Sequence, residues 1–375
     1  MKQISVMIKP ASSLCNMRCK YCFYSDVSSL REVASFGIMR EETLQAVIHN
    51  IFVDLESGDQ LTLAFQGGEP TLAGLDFYRT LIGLVDQCCP KGVRVNYALQ
   101  TNGYLLNREW CEFLKQHHFL VGLSLDGPSQ FHNANRLDAA GEGTFRKVLS
   151  AKKLMDEIGV EYNVLIVLTN HLARHPVQIW NFIKEQKLSY VQFIPCLGPL
   201  EGQGDVYALT PQRYASFYRG IFDLWYKEYR QGNYISIKLF DDLVNLLAFG
   251  QCNACGLTGR CHSQIIVEAD GSTYPCDFYV LDEYCTGNLV SDSVVEILHS
   301  AKGIQFEKRP SAELSLCTTC PYRQICGGGC QRMRQEVCYR AGDTLCGHRM
   351  LLDSIGERLR IIAMENRRFA ARYQG

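Results

Sequence analysis

Long hydrophobic runs are missing from this chain. No apolar stretch approaches the roughly 20 residues that cross a bilayer, which argues against a membrane-spanning helix. The opening MKQISVMIKPASS also lacks the apolar core and small-residue cleavage site of a secretion signal. Neither sign of charge is in excess. Lys plus Arg number 38 against 39 for Asp plus Glu, and a net charge of −1 gives no general drive towards nucleic acid or anionic lipid. A local patch stays open. There is no internal repeat and no low-complexity linker. A cytoplasmic protein is expected, with neither nucleic acid nor membrane among its partners.

Cysteine, by contrast, is abundant. Eighteen in 375 residues would suggest disulfides in a short secreted chain. In a long chain without a leader, bunched at metal-ligand spacing, they suit a reducing compartment and metal clusters better. An anaerobic setting is expected. Hydrophobic residues at 47% and charged residues at 21% leave enough apolar material for one large or two ordinary domains.

The first 200 residues alternate short β-rich runs with helical stretches. Ser5 to Lys9, Leu61 to Gly68, Val93 to Gln100, Leu120 to Gly127, Glu161 to Thr169 and Tyr190 to Pro195 read as buried parallel strands. Glu41 to Leu55, Leu75 to Cys88, Arg108 to His117, Thr144 to Ile158 and His175 to Lys187 read as the helices between them. Six such pairs predict right-handed crossovers and an open, partial (β/α)6 barrel, with functional residues at the C-terminal strand ends. From about Thr210 the pattern changes. Pro211 to Tyr229 and Phe240 to Phe249 read as helices, Ile265 to Cys276 as a hairpin turning at Asp270-Gly271, and Met350 to Asn366 as a last helix. Cys317 to Cys346 has little apolar material, so metal must shape it. A first domain over 1–235 and a second over 236–375 are expected.

Cys15, Cys19 and Cys22 are spaced C-x3-C-x2-C at the end of the first strand. Three thiolates on a four-iron cubane leave one iron open, whereas electron carriers normally close all four positions. A zinc site is the plain alternative. The spacing, the aromatic Tyr21 and the later Gly67-Gly68-Glu69-Pro70 resemble the radical S-adenosylmethionine (SAM) enzymes. That resemblance implies SAM held on the open iron and a 5′-deoxyadenosyl radical as the reactive species.

A second constellation comprises Cys255, Cys261 and Cys276, then Cys317, Cys320, Cys326, Cys330 and Cys346. A pair of zinc ribbons is the plain reading, although only one C-x2-C knuckle is present. Spacing alone does not assign these cysteines to clusters. Their order resembles the SPASM extension of peptide-modifying radical SAM enzymes. This implies a SPASM-type iron–sulfur domain and, in all, three [4Fe–4S] clusters. Cys255, Cys261, Cys276 and Cys330 would hold the first auxiliary cluster, and Cys317, Cys320, Cys326 and Cys346 the second. Cys338 competes with Cys346 for the last place. Cys88, Cys89, Cys111, Cys196, Cys252 and Cys285 read as packing residues.

KPASSLCNMRCKYCFY, AFQGGEPTLAGL, LQTNG, LVGLSLDGP, FHNANR and DGSTYPCDFY together resemble the anaerobic sulfatase-maturating enzymes. The resemblance implies oxidation of a peptidyl cysteine or serine of a sulfatase to Cα-formylglycine. The implied partners are a sulfatase segment with a C/S-x-P-x-R-like motif and a low-potential flavodoxin- or ferredoxin-type donor. By the same resemblance Asp277 is the general base, Tyr21, Gly68, Ser124, Arg136 and Leu197 contact SAM, and Tyr24 and Gln66 line the peptide site. Glu69, Asn102 and Asp126 are supporting polar groups, and His117-His118 reads as surface. A SPASM enzyme that crosslinks or epimerises a ribosomal peptide is the rival with the same cluster ligands.

Overall fold

The computed structural model describes residues 1–201, 205–252, 254–309, 315–340 and 342–373. Its strands, in chain order, are β1 (Gln3–Ile8), β2 (Gln60–Phe65), β3 (Arg94–Thr101), β4 (Phe119–Ser124), β5 (Tyr162–Leu168), β6 (Tyr190–Pro195), β7 (Ser236–Ile237), β8 (Ile265–Val267), β9 (Ser272–Tyr274) and β10 (Gly287–Asn288). The chain forms two compact units. One comprises 1–125, 132–162 and 262–309; the other comprises 126–131, 163–261 and 310–375.

In the first unit the strands lie in the order β10-β9-β8-β1-β2-β3-β4. The run from β8 to β4 is parallel, with Val6 opposite Leu63 on one side and Ile265 on the other. β8, β9 and β10 form an antiparallel meander whose first turn carries Asp270-Gly271. Helices Glu41–Phe52, Leu75–Cys88, Arg108–Gln116 and Phe145–Ile158 each bury one apolar face. Val6, Ile8, Leu61, Leu63 and Phe65 are fully buried, as expected of strands covered on both faces.

The second unit holds the parallel strands β5, β6 and β7. Helix Gly347–Tyr373 packs on helices Pro211–Arg230 and Lys238–Phe249. It runs further than the expected Met350 to Asn366. Among the described residues, the stretch around Cys317 to Cys346 contains only single-turn helices, Ser315–Thr318, Arg323–Cys326 and Arg334–Val337. No helix among the described residues is long and apolar enough to cross a membrane.

Candidate active site

The amino-terminal cysteines lie on the loop that leaves β1. Cys15 and Cys19 are half-buried and Cys22 is exposed. The loop is stitched to the segment after Ser129–Asn135: Arg18 N–H donates to Leu137 O at 2.7 Å and Lys20 N–H to Asn135 O at 3.0 Å. Burial pushes the Cys15 thiol up to about 11 against the pull of the Met17 N–H, and Glu69, Cys19 and Cys22 add to the shift. A buried thiol with a raised pKa gives up its proton readily only where a cationic partner replaces it, which is the chemistry an iron cluster offers.

The loop after β2 nests against this one. Gly68 has φ +53°, and a β-carbon there would stand 2.2 Å from Leu14 O. Glu69 N–H donates to the same Leu14 carbonyl at 2.8 Å. The buried Glu69 carboxylate accepts from Thr71 and Thr101 hydroxyls at 2.6 and 2.7 Å and from Asn102 N–H at 2.8 Å. Burial still holds its pKa above the ordinary carboxyl value despite those bonds. Asn102 in turn reaches Asn16 Oδ1 at 2.8 Å and Cys15 Sγ at 3.8 Å. Glu69 and Asn102 thus tie the ends of β2 and β3 to the cysteine loop, as expected of supporting groups.

Ser124 closes β4, where its hydroxyl accepts from Gln100 at 3.1 Å. Arg136 is buried, and its guanidinium donates to the Tyr21 hydroxyl at 3.1 Å. Of the residues expected at SAM, Tyr21 is thus on the cysteine loop, Gly68 and Arg136 lie against it, and Ser124 sits at the end of β4 beside Gln100. Leu197 follows β6 in the second unit and is 8% exposed. Asp126 accepts Val167 N–H at 2.9 Å.

Asp277 sits just past Cys276 and β9. Lys9 Nζ donates to its Oδ1 at 2.5 Å, and Gln66 Nε2 to its Oδ2 at 2.8 Å. Lys9 is fully buried, with its ammonium 4.1 Å from the centroid of the Tyr24 ring. Gly67 makes room for it: a β-carbon there would meet Lys9 Cγ at 2.7 Å. The Tyr24 hydroxyl donates to Glu268, which also accepts from Arg31 at 2.7 Å. Burial acts to raise the Glu268 pKa, but the charges of Lys9 and Arg31 outweigh it and hold the carboxyl below its usual range. Tyr24, Gln66 and Asp277, separate in the sequence reading, thus form one group. Lys9, Arg31 and Glu268 were not anticipated. The only trace was a lysine at the end of one apolar strand and a glutamate at the end of another.

Cys255, Cys261 and Cys330 lie in the second unit. Burial pushes the Cys255 thiol up to about 11, and Cys330 and Cys261 add to the shift. Cys276 lies in the first unit. Cys326 is raised by burial and by Cys346, Cys317 and Cys320, so those four thiols share one electrostatic neighbourhood. Cys338 is buried, its thiol donates to Gly328 O at 3.6 Å, and Cys346 lies beside it. The contact with Cys338, together with the N–H groups of Arg349 and His348, lowers the Cys346 pKa. Among the described residues no three His, Cys, Asp or Glu side chains converge tightly enough to hold a single metal ion. Of the expected packing cysteines, Cys111 and Cys196 are buried; Cys88, Cys89, Cys252 and Cys285 are only half-buried.

The radical SAM superfamily model matches residues 10–182, and the SPASM model, an iron-sulfur cluster-binding domain, matches 255–321. A cysteine-type anaerobic sulfatase-maturating enzyme of Clostridium perfringens is 43% identical over 338 residues, covering 90% of this chain and 91% of the relative. The chain belongs to the anaerobic sulfatase-maturating enzymes. A serine-type member from Bacteroides thetaiotaomicron is 30% identical over 89% of this chain and 84% of its own length. Native anSMEcpe, solved with AdoMet and the Cp18Cys peptide, superposes with a TM-score of 0.88 at 38% identity, covering 97% of this chain and 99% of that one. The fold of this sulfatase-maturating enzyme is a radical SAM partial barrel with a SPASM iron–sulfur segment.

Proposed function

We propose that this enzyme oxidises one cysteine of a sulfatase polypeptide to Cα-formylglycine. The observation that carries the reading is Asp277, held between Lys9 and Gln66 beside Tyr24 and next in sequence to Cys276. Identity of 43% to the cysteine-type enzyme against 30% to the serine-type one favours cysteine as the target. The expected segment carries a C-x-P-x-R-like motif.

Bound SAM and its clusters supply hydrogen abstraction at the substrate's Cβ and accept one further electron. The chain's own residues do the rest. Asp277, with both oxygens fixed, takes the S–H proton as the thioaldehyde forms. Tyr24 and Gln66 wall the target side chain. Water then replaces sulfide to leave the aldehyde.

Three [4Fe–4S] clusters fit the thiol sets. Cys15, Cys19 and Cys22 would hold the first. Cys255, Cys261, Cys276 and Cys330 would hold the second. Cys317, Cys320, Cys326 and Cys346 would hold the third, with Cys338 beside it. Tyr21, Gly68, Ser124 and Arg136 are assigned to SAM, and Leu197 to its adenine. The barrel would span 1–235 and the cluster-bearing segment 236–375. The enzyme would work in the cytoplasm with a flavodoxin- or ferredoxin-type donor.

Reconstituted protein, SAM, reductant and a cysteine peptide test the reading by mass spectrometry. An aldehyde in place of the thiol supports it. SAM cleavage with an unchanged peptide refutes it.

A further inference from the structure

We propose that Arg332 and Glu336 clamp the backbone of Gly198 and thereby set the affinity of the enzyme for SAM. The inference rests on the assignment of Leu197 to adenine made above.

Backbone pairing carries the chain regularly through β6 and one residue beyond. Cys196 N–H donates to Leu168 O at 3.2 Å, and Cys196 O accepts from Leu209 N–H at 2.9 Å. At Gly198 the partners change from backbone to side chain. Its N–H donates to Glu336 Oε1 at 3.1 Å, and its carbonyl accepts from Arg332 Nη2 at 2.5 Å. Both polar groups of one residue are thus held by side chains more than 130 positions later.

The clamp is not explained as a fold staple. Glu336 is 4% exposed, yet among the described residues its Oε2 has no hydrogen-bond partner, and neither does Arg332 Nε. Burying a carboxylate and a guanidinium with atoms left unpaired is costly. What these two groups do achieve is to fix one backbone residue from both sides. That residue directly follows the one assigned to the adenine. A loop fixed in its binding conformation spares the ligand the cost of ordering it. Arg332 and Glu336 act here as positioning residues. They stand between Cys330 and Cys346, so the cysteine-rich segment reaches the SAM loop through them.

The test uses full-length, iron-reconstituted protein with two readouts: hydrogen–deuterium exchange over 194–200, and the SAM dissociation constant by equilibrium dialysis. Glu336→Leu and Arg332→Leu should speed exchange at Gly198 and weaken SAM binding, each on the order of tenfold. Glu336→Gln keeps an acceptor and should stay within about twofold of the parent protein. Should a leucine variant lose iron, Glu336→Asp, which keeps the charge but shortens the reach, should still weaken SAM binding. Unchanged exchange in Glu336→Leu overturns the clamp. Faster exchange with unchanged SAM affinity overturns its link to SAM. Arg136→Leu separates the two levels. If that variant loses SAM affinity while the clamp variants keep it, only the clamp is refuted. If it also keeps affinity, the SAM assignment has failed.

Discussion

Lys9 Nζ and Asp277 Oδ1 lie 2.5 Å apart although 268 positions separate the two residues in the chain. The lysine side chain is inaccessible to solvent and that of the aspartate is 12% exposed. Removing one partner of such a pair strands the other. Lys9→Met should therefore cost about 3–5 kcal/mol of stability. Lys9→Met combined with Asp277→Asn should recover most of it. Urea denaturation of the two single variants and the double variant measures the coupling, and simple additivity would show that the pair contributes nothing.

Asp277→Asn separates the chemistry from cofactor cleavage. The amide cannot take the substrate's proton but still fills the space between Lys9 and Gln66. Release of 5′-deoxyadenosine should continue near the parent rate, while aldehyde per turnover falls by about 10²–10⁴-fold. Full aldehyde yield would remove Asp277 from the proton transfer.

Glu69→Ala should damage the cysteine loop without touching a cysteine. It strands the Asn102 N–H and two threonine hydroxyls in a buried place. Each lost partner costs about 1–3 kcal/mol, so a total near 3 kcal/mol is expected after relaxation. Iron bound at the first site should fall in parallel. Chemical denaturation and iron analysis of a variant lacking the other cluster cysteines would check both.

His132 gives the fold an acid sensitivity of its own. Its ring is buried against Thr144 Oγ1, and burial, aided by Arg136, lowers its pKa from 6.5 to about 2. The folded state holds the neutral ring and the unfolded chain takes up the proton first. The contribution is complete above about pH 6.5 and is lost as pH falls below it, approaching about 1.4 kcal/mol per pH unit. His132→Asn should be less stable at pH 8 but show a flatter fall between pH 6.5 and 5. Equal slopes for both proteins would refute the assignment.

The framework was legible because it is written in local patterns. Six apolar runs gave β1 to β6, and the cysteine spacings gave the two thiol-rich regions. The C-terminal strand ends carried the expected groups: Gln66 to Glu69 after β2, Asn102 after β3, Ser124 at the end of β4. Short elements and long-range charge pairs escaped. Helices Phe23–Ser29 and Ser129–Asn135 span seven residues each, and Val294–Leu298 five, too few for a periodic signal. Lys9 meets Asp277 and Arg31 meets Glu268 across 268 and 237 positions, and a sequence carries no periodicity for such meetings. The Tyr24 hydroxyl donates to Glu268, and its ring lies beside the Lys9 ammonium.

Strand β1 is flanked by β2 on one side and by β8 on the other. At a translation speed of about 5–20 residues per second, β8 leaves the ribosome roughly 13–50 s after β1. During that interval the open edge of β1 can pair with any passing strand. The nascent polypeptide is thus most exposed to chaperones and to misassembly before its hairpin arrives, and Asp277 reaches Lys9 only when this late strand docks.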